Sequence, residues 1–193
     1  LKGSCLDRKH VGKILGMTRS CTAVVMGGGL TRERSVLRAV SAILKKSRIP
    51  AVVDADALYV GKKKLGQNFI LTPHSQEFCV LGGEKPLNDV QDRIKKTKSL
   101  AARLGCTVLL KGHVDVVSDG KRTATSATGN PYMTKGGMGD VLAGICGALL
   151  ARGAGPFEAA CCGAYINGLA GEIAAKNKHE GLMASDLFLS IPR

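Results

Sequence analysis

Residues Gly136, Gly137, Met138, Gly139 and Asp140 stand directly before an apolar run dominated by small side chains. The first N–H groups of a helix have no internal partner, and the helix dipole places partial positive charge there. Glycines at that point let an anion approach without a Cβ in the way. The main-chain N–H groups of Gly136, Gly137, Met138 and Gly139 are therefore a candidate anion hole. Asp140, at the mouth of the same helix, either takes a proton from an attacking hydroxyl or merely stabilises the helix N-terminus. Lys111-Gly112-His113 follows an apolar run, where a lysine can reach a phosphate as a mobile point charge or be one more surface cation. His74, in TPHSQEF, has its backbone direction constrained by Pro73. It either donates a hydrogen bond to a ligand or satisfies a loop carbonyl. Glu77 is a cap for the following turn or a ligand contact. Asp54 and Asp56 are magnesium ligands, directly or through water, or turn formers after a strand. Tyr132 and Met133 shape the loop ahead of Gly136.

The elements that must position these groups are short. TAVVMGGG (22–29), IPAVVDAD (49–56), FILTPH (69–74) and TVLLKGH (107–113) are aliphatic runs that end in polar residues or glycine. Each predicts a strand buried on both faces, as in a parallel sheet. Between them, 31–48 carries Val36, Leu37, Val40, Ile43 and Leu44 on one helical face. In 88–104, Val90, Ile94, Ala101 and Leu104 form a stripe, with Asn88 and Gln91 resembling a capping box. Residues 114–127 predict a hairpin turning at Asp119-Gly120. Helices are expected at 138–152 and 157–176, with a short one near 184–190. Ala143, Gly144, Gly147, Ala148 and Ala151 are small enough to let the first of these pack closely into the core. The alternation predicts a three-layer α/β fold with a mostly parallel sheet. In such sheets ligands bind outside the carboxyl ends of the strands. Gly27 to Gly29, Asp54 with Asp56, Thr72 to His74 and Lys111 to His113 would then share one edge.

Charge and composition narrow the classes. Against 15 acidic residues stand 28 Lys and Arg, a formal net charge of +13 that attracts polyanions. Nucleic-acid binding by a basic module is one reading, but four Phe, three Tyr and no recognised binding motif argue against it. Seven cysteines without a C-x-x-C spacing predict free, mostly buried thiols in a reducing, cytoplasmic setting and no zinc site. No apolar stretch reaches membrane-spanning length, and no signal peptide is visible. With 193 residues, one domain over 1–193 is expected. The first residue is Leu, which predicts that an N-terminal segment of the natural chain is missing.

Together, VVMGGGL, DADAL (54–58), ILTPHSQEF (70–78), VLLKG (108–112), GNPYMTKGGMGDVLAGICGALLARG (129–153) and PFEAACCGAYINGLAGE (156–172) resemble the ADP/ATP-dependent NAD(P)H-hydrate dehydratases of the ribokinase-like superfamily. The likeness runs from about Thr22 to about Glu172. It implies a ribokinase-like fold and repair of hydrated NADH or NADPH, driven by ADP or ATP with Mg²⁺. By that resemblance Asp140 would be the catalytic base, and Gly29, His74 and Asp140 would contact the hydrated dinucleotide. Lys111, Gly112, His113, Val114, Asp115 and Gly139 would line the adenine-nucleotide site. The family also implies a homo-oligomer. Three departures stand out: Gly28 where proline is common, Tyr132 where glycine is common, and the lack of the family's N-terminal glycine-containing strand and helix. A ribokinase-like small-molecule kinase is the alternative within the superfamily. It would share the Asp140 chemistry, but TPHSQEF and the lack of an obvious inserted lid argue against it.

Overall fold

The computed structural model describes residues 5–60 and 64–191. In chain order it forms α1 (Val11–Met17), β1 (Val24–Met26), α2 (Arg34–Lys46), β2 (Ala51–Val53), β3 (Phe69–Leu71) and α3 (Ser75–Val80). There follow α4 (Val90–Leu104), β4 (Thr107–Leu110), β5 (Asp115–Ser118), β6 (Thr123–Ser126), α5 (Met138–Ala151) and α6 (Pro156–Lys178). Single 3₁₀ segments run at Ala55–Val60 and Ala184–Leu189.

The six strands lie in chain order, β1 to β6. β1 through β4 are parallel, whereas β4–β5 and β5–β6 are antiparallel. Alternation along each strand divides two cores. Val53, Leu71, Val108, Leu110 and Val116 face α2 and α4. Val52, Ile70, Leu109 and Val117 face α5 and α6. This is the expected three-layer arrangement. Every residue of β2, β3 and β4 is buried, as continuous apolar runs in a doubly covered sheet should be. β1, at the end of the strand order, departs from that expectation, with Val25 47 % exposed.

Helix α2 buries Val36, Val40, Ile43 and Leu44 as expected, with Ala39 joining them and Leu37 only half-buried. The buried face of α4 differs from the expected stripe. It consists of Arg93, Thr97, Leu100, Ala101 and Leu104, while Val90 and Ile94 sit at its margin. Its N-cap is Asp89, whose carboxylate accepts from the Asp92 N–H at 2.7 Å, not Asn88 with Gln91. The helix starts one residue later than expected, which places the Asp89 carboxylate within reach of the N3 amide.

Of the small residues in α5, only Ala143 and Gly147 are in the packed face; Gly144, Ala148 and Ala151 are exposed. Gly147 is obligatory there, because a Cβ would collide with the Val25 side chain of β1. Beside it in the same layer, a Cβ at Gly163 of α6 would stand 2.5 Å from Cys146 Sγ. The hairpin turns at Asp119 to Arg122, with Gly120 at φ +90°. Sequence reading assigned no element to the first twenty residues. There α1 buries Val11 beside Ala39 and Ile43, and its seven residues with two glycines are too short for a periodic signal.

All seven cysteines are free, but Cys106 and Cys146 alone are fully buried; Cys21, Cys79 and Cys162 are exposed. Burial pushes the Cys106 and Cys146 thiols up to about 12, which makes them inert packing groups. Among the described residues, no helix is long and apolar enough to cross a membrane.

Candidate functional site

Because β1 to β4 are parallel, their carboxyl ends open on one edge, and the polar residues placed there by sequence meet. Asp54, just after β2, is 4 % exposed. Its Oδ1 accepts from Thr72 Oγ1 at 2.7 Å and from Lys111 Nζ at 2.9 Å. Its backbone carbonyl lies so close to Gly27 that a Cβ there would overlap it, and Gly27 has φ +147°. The first glycine of the β1 loop therefore lets two strand ends approach. Lys111 Nζ also stands 4.0 Å from Glu77 Oε2. It is thus the centre of a polar cluster and no ordinary surface lysine. A buried carboxylate held by a cation and a hydroxyl avoids the cost of an unpaired charge.

His74 and Glu77 cap α3 reciprocally. His74 Nδ1 accepts from the N–H groups of Gln76 (3.1 Å) and Glu77 (3.4 Å), and Glu77 Oε2 accepts from the His74 N–H at 2.9 Å. His74 therefore satisfies amides, not a loop carbonyl as one expectation had it. With Nδ1 accepting, the proton sits on Nε2, which is 3.4 Å from Glu77 Oε1. The ring is exposed on its outer side, 50 % by side chain.

The mouth of α5 completes the cluster. Gly137 is its N-cap, at φ +89°. The Met138 N–H donates back to the Lys135 carbonyl at 3.5 Å and its side chain is buried. That amide is turned into its own loop, which corrects its inclusion in the anion hole. Among the described residues no protein acceptor takes the N–H groups of Gly139 and Asp140. A Cβ on Gly139 would stand 3.3 Å from Lys111 Nζ and 3.7 Å from Asp54 Oδ2, and one on Gly28 would stand 2.5 Å from Asp140 Oδ1. The open ends of β1, β2 and β4 and the head of α5 thus converge within van der Waals reach. Asp140, Gly28, Gly29, Gly112 and His113 are all exposed around this mouth, which opens to solvent instead of packed side chains.

Not every candidate joins it. Asp56 turns away and binds Arg32 Nε at 2.7 Å, with that guanidinium 4.2 Å above the Tyr59 ring. It is a structural partner and not a metal ligand facing the site. Asp115, expected to contact nucleotide, turns its Oδ1 to the Gly112 N–H at 2.9 Å. Burial pushes its carboxyl up to about 6, against the opposing pull of the Gly112 N–H, Arg93 and Lys111. Val114 is half-buried beside it. Sequence reading missed Arg93, whose guanidinium lies under the Lys111 loop. The signal was a cation in the 93–97–100–104 helical row, hidden because charged residues are normally discounted as solvent-facing.

The loop ahead of α5 is anchored on α6. Glu172 Oε1 accepts from the Gly129 N–H at 2.8 Å, and Met133 packs against Gly171 so tightly that a Cβ there would collide with its thioether. Tyr132 and Met133 shape the loop as expected, Tyr132 meeting the His179 ring edge-on at 6.1 Å between centroids.

Among the described residues no group of three metal-ligating side chains occurs, so a resident metal cage is absent from them. A carboxylate facing phosphate groups is nevertheless a fitting partner for magnesium that arrives on a nucleotide, since that ion keeps several waters and takes only one or two protein carboxylates. Asp54 Oδ2, near Gly139, is the group so placed.

A family model described as NAD(P)H-hydrate dehydratase matches residues 6–193. An ADP-dependent (S)-NAD(P)H-hydrate dehydratase from Cenarchaeum symbiosum is 42% identical over 188 residues, covering 96% of this chain and 64% of that protein. Among solved structures, a Bacillus subtilis ADP/ATP-dependent NAD(P)H-hydrate dehydratase co-crystallized with ATP/Mg²⁺ and soaked with CoA has a TM-score of 0.78 at 31% identity. It covers 89% of this chain and 64% of that one. A ribokinase-like superfamily protein from Enterococcus faecalis aligns with a TM-score of 0.82 at 20% identity, over 95% of this chain and 66% of that one, a likeness of fold alone. The chain spans 34–39% of the length of bifunctional NAD(P)H-hydrate repair enzymes that it matches.

Proposed function

The chain belongs to the NAD(P)H-hydrate dehydratase family, and we propose that it dehydrates hydrated NADH or NADPH at the expense of ADP or ATP. The observation that carries this reading is the meeting of Asp140, the unpartnered Gly139 amide and Lys111 at one mouth, with Gly28 keeping the space in front of Asp140 clear. A hydroxyl, an acceptor base and a phosphoryl group need to be gathered in that way for in-line transfer.

In this reading Asp140 accepts the proton of the ring hydroxyl as its oxygen attacks the terminal phosphorus of the nucleotide. The bond to the bridging oxygen breaks, releasing AMP from ADP or ADP from ATP. The Gly139 and Asp140 N–H groups and Lys111 stabilise the charge on the phosphoryl group in flight. The ring nitrogen then expels phosphate, and loss of a proton from the neighbouring carbon restores the double bond. Asp54 positions Lys111 and is the residue that would share a magnesium ion carried by the nucleotide, which supplies charge neutralisation. His74, with its ring face open, and Gly29, at φ +71° in the β1 loop, would lie along the dinucleotide. Gly112 and His113, both exposed, would flank the nucleotide with Val114.

The test is direct. Purified protein is incubated with hydrated NADH, ADP and Mg²⁺, and with ATP in a parallel arm, while absorbance of the reduced nicotinamide is followed. Recovery dependent on nucleotide supports the reading. Nucleotide turnover with a hydroxylated small molecule but no recovery would move the protein to the kinase alternative.

A further inference from the structure

Arg93 presents a puzzle of energetics. Its residue is 3 % exposed, in the first turn of α4, and burial drives its pKa down. Its Nη2 donates to the carbonyls of Leu110 (3.3 Å) and Lys111 (3.1 Å). Its Nε, equally buried, has no hydrogen-bond partner. A buried charge satisfied this incompletely is a poor source of stability, and an apolar side chain of similar size often serves the fold as well. What the guanidinium does instead is grip two successive peptide carbonyls. Gly112 lies directly on it, so that any Cβ would collide with Nη2 and stand 2.9 Å from Cζ.

The rest of that loop is held from other sides. The Lys111 N–H donates to the Pro73 carbonyl at 2.9 Å. The Gly112 N–H donates to Asp115 Oδ1 at 2.9 Å. Asp115 is also one of two carboxylates, with Asp92, whose charge favours the buried guanidinium. The backbone of Lys111 and Gly112 therefore has both carbonyls on its Leu110–Lys111 side and both its amides engaged. Only the Lys111 side chain projects, to Asp54 and the α5 mouth.

We propose that Arg93 and Asp115 are positioning residues that lock the Lys111–Gly112 peptide in the conformation that presents Lys111 to the nucleotide phosphate. This rests on the nucleotide-dependent function above. It also replaces the expected role of Asp115 as a nucleotide contact: its carboxylate serves the loop backbone. Lysine cannot substitute for Arg93: both bonds come from Nη2 at the far tip of the guanidinium, which a lysine's shorter stem does not reach, and an ammonium has no flat face for Gly112 to lie against.

The experiment uses the full chain with ADP as the probe. ADP affinity is measured by titration calorimetry, and KM for hydrated NADH separately, for Arg93→Met, Arg93→Lys, Asp115→Ala and Asp115→Asn. Arg93→Met and Arg93→Lys are each expected to weaken ADP binding about tenfold or more, which corresponds to about 1.4 kcal/mol, while KM for the dinucleotide moves less than threefold. Asp115→Ala should weaken ADP similarly. Asp115→Asn, whose amide oxygen still accepts from the Gly112 N–H, should recover at least half of that loss. Unchanged ADP affinity in Arg93→Lys, or an Asn variant as impaired as the Ala variant, would overturn the proposal, the latter restoring direct contact by the Asp115 charge. If Arg93→Met does not fold, Arg93→Lys carries the test. Amide hydrogen exchange separates the two levels of inference: exchange at Lys111 and Gly112 should rise at least tenfold in the Arg93 variants without nucleotide. No ADP binding by the wild-type protein, together with this acceleration in the Arg93 variants, would refute the functional reading and leave the loop lock standing; unchanged exchange would refute the lock.

Discussion

The α5 mouth and the Lys111 loop face each other across the site, yet they are built in opposite ways. At the mouth, geometry comes from side chains that are missing: Gly137 adopts a left-handed conformation, Gly139 clears a path to Lys111, and Gly28 leaves room for the Asp140 carboxylate. At the Lys111 loop, geometry comes from side chains that are buried: Arg93 and Asp115 seize a backbone that a single glycine alone would leave loose. A glycine cradle stays open and presents its amides; a guanidinium lock fixes one peptide so that one cation can be aimed. The contrast shows why the two halves should fail differently when altered.

The largest effect is expected at the mouth. Asp140→Asn removes the proton acceptor while preserving shape, and turnover should fall by about 10²–10⁴-fold, the range for a lost general base. ADP affinity should stay within about threefold in the same calorimetric titration; retained turnover would reduce Asp140 to a helix-capping role.

Across the site, Lys111→Ala should cost both binding and stability, because removing one partner of a buried ion pair leaves Asp54 uncompensated, worth about 3 kcal/mol in urea unfolding. The pairing with Asp54 is what ties this loss of affinity to the fold. Combining Lys111→Ala with Asp54→Asn should return most of the stability without returning ADP affinity. If affinity returns as well, Lys111 acts on the fold and not on the nucleotide.

A smaller effect distinguishes the loop by pH. The groups facing Asp115 are Arg93 from α4, Lys111 from its own loop and the Cys146 thiol from α5. Burial raises its carboxyl from 3.8 to about 6 in the fold. The folded chain therefore binds this proton more tightly than the unfolded chain, so the contribution is greatest at low pH. It is lost as pH rises from about 4 through about 6. The unfolding free energy of the parent minus that of Asp115→Asn should accordingly decline over that window and level off above it. A difference independent of pH would mean that Asp115 is not shifted.

The smallest effect is predicted for Gly28→Ala. The new methyl meets only the tip of the exposed Asp140 side chain, which can swing away, so stability should change by less than about 0.5 kcal/mol. Turnover should fall about threefold, since the base is displaced and not removed. A large loss of stability would mean that the β1 loop and α5 are packed more rigidly than their exposed positions indicate.

Much of this was legible in the linear chain. The aliphatic runs ending at Met26, Val53, Leu71 and Leu110 determine four parallel strands whose polar ends share an edge; three are buried throughout, whereas β1 leaves Val25 exposed, which the run of valines does not announce. Gly136 to Asp140 before an apolar run likewise announces a helix N-terminus, and α5 does start at Met138 with Gly137 left-handed at its cap, since backbone conformation there is a local property. Tertiary structure alone decided the pairings. Asp54 and Asp56 are two residues apart and equally acidic, yet one enters the cluster beneath Lys111 and the other binds Arg32 outside it. His74 became a cap, Met138 turned its amide inward, and Arg93 went beneath the Lys111 loop. Each depends on which atoms from distant segments lie within about 3 Å, and in a folded interior that proximity sets whether a polar group is paired or stranded.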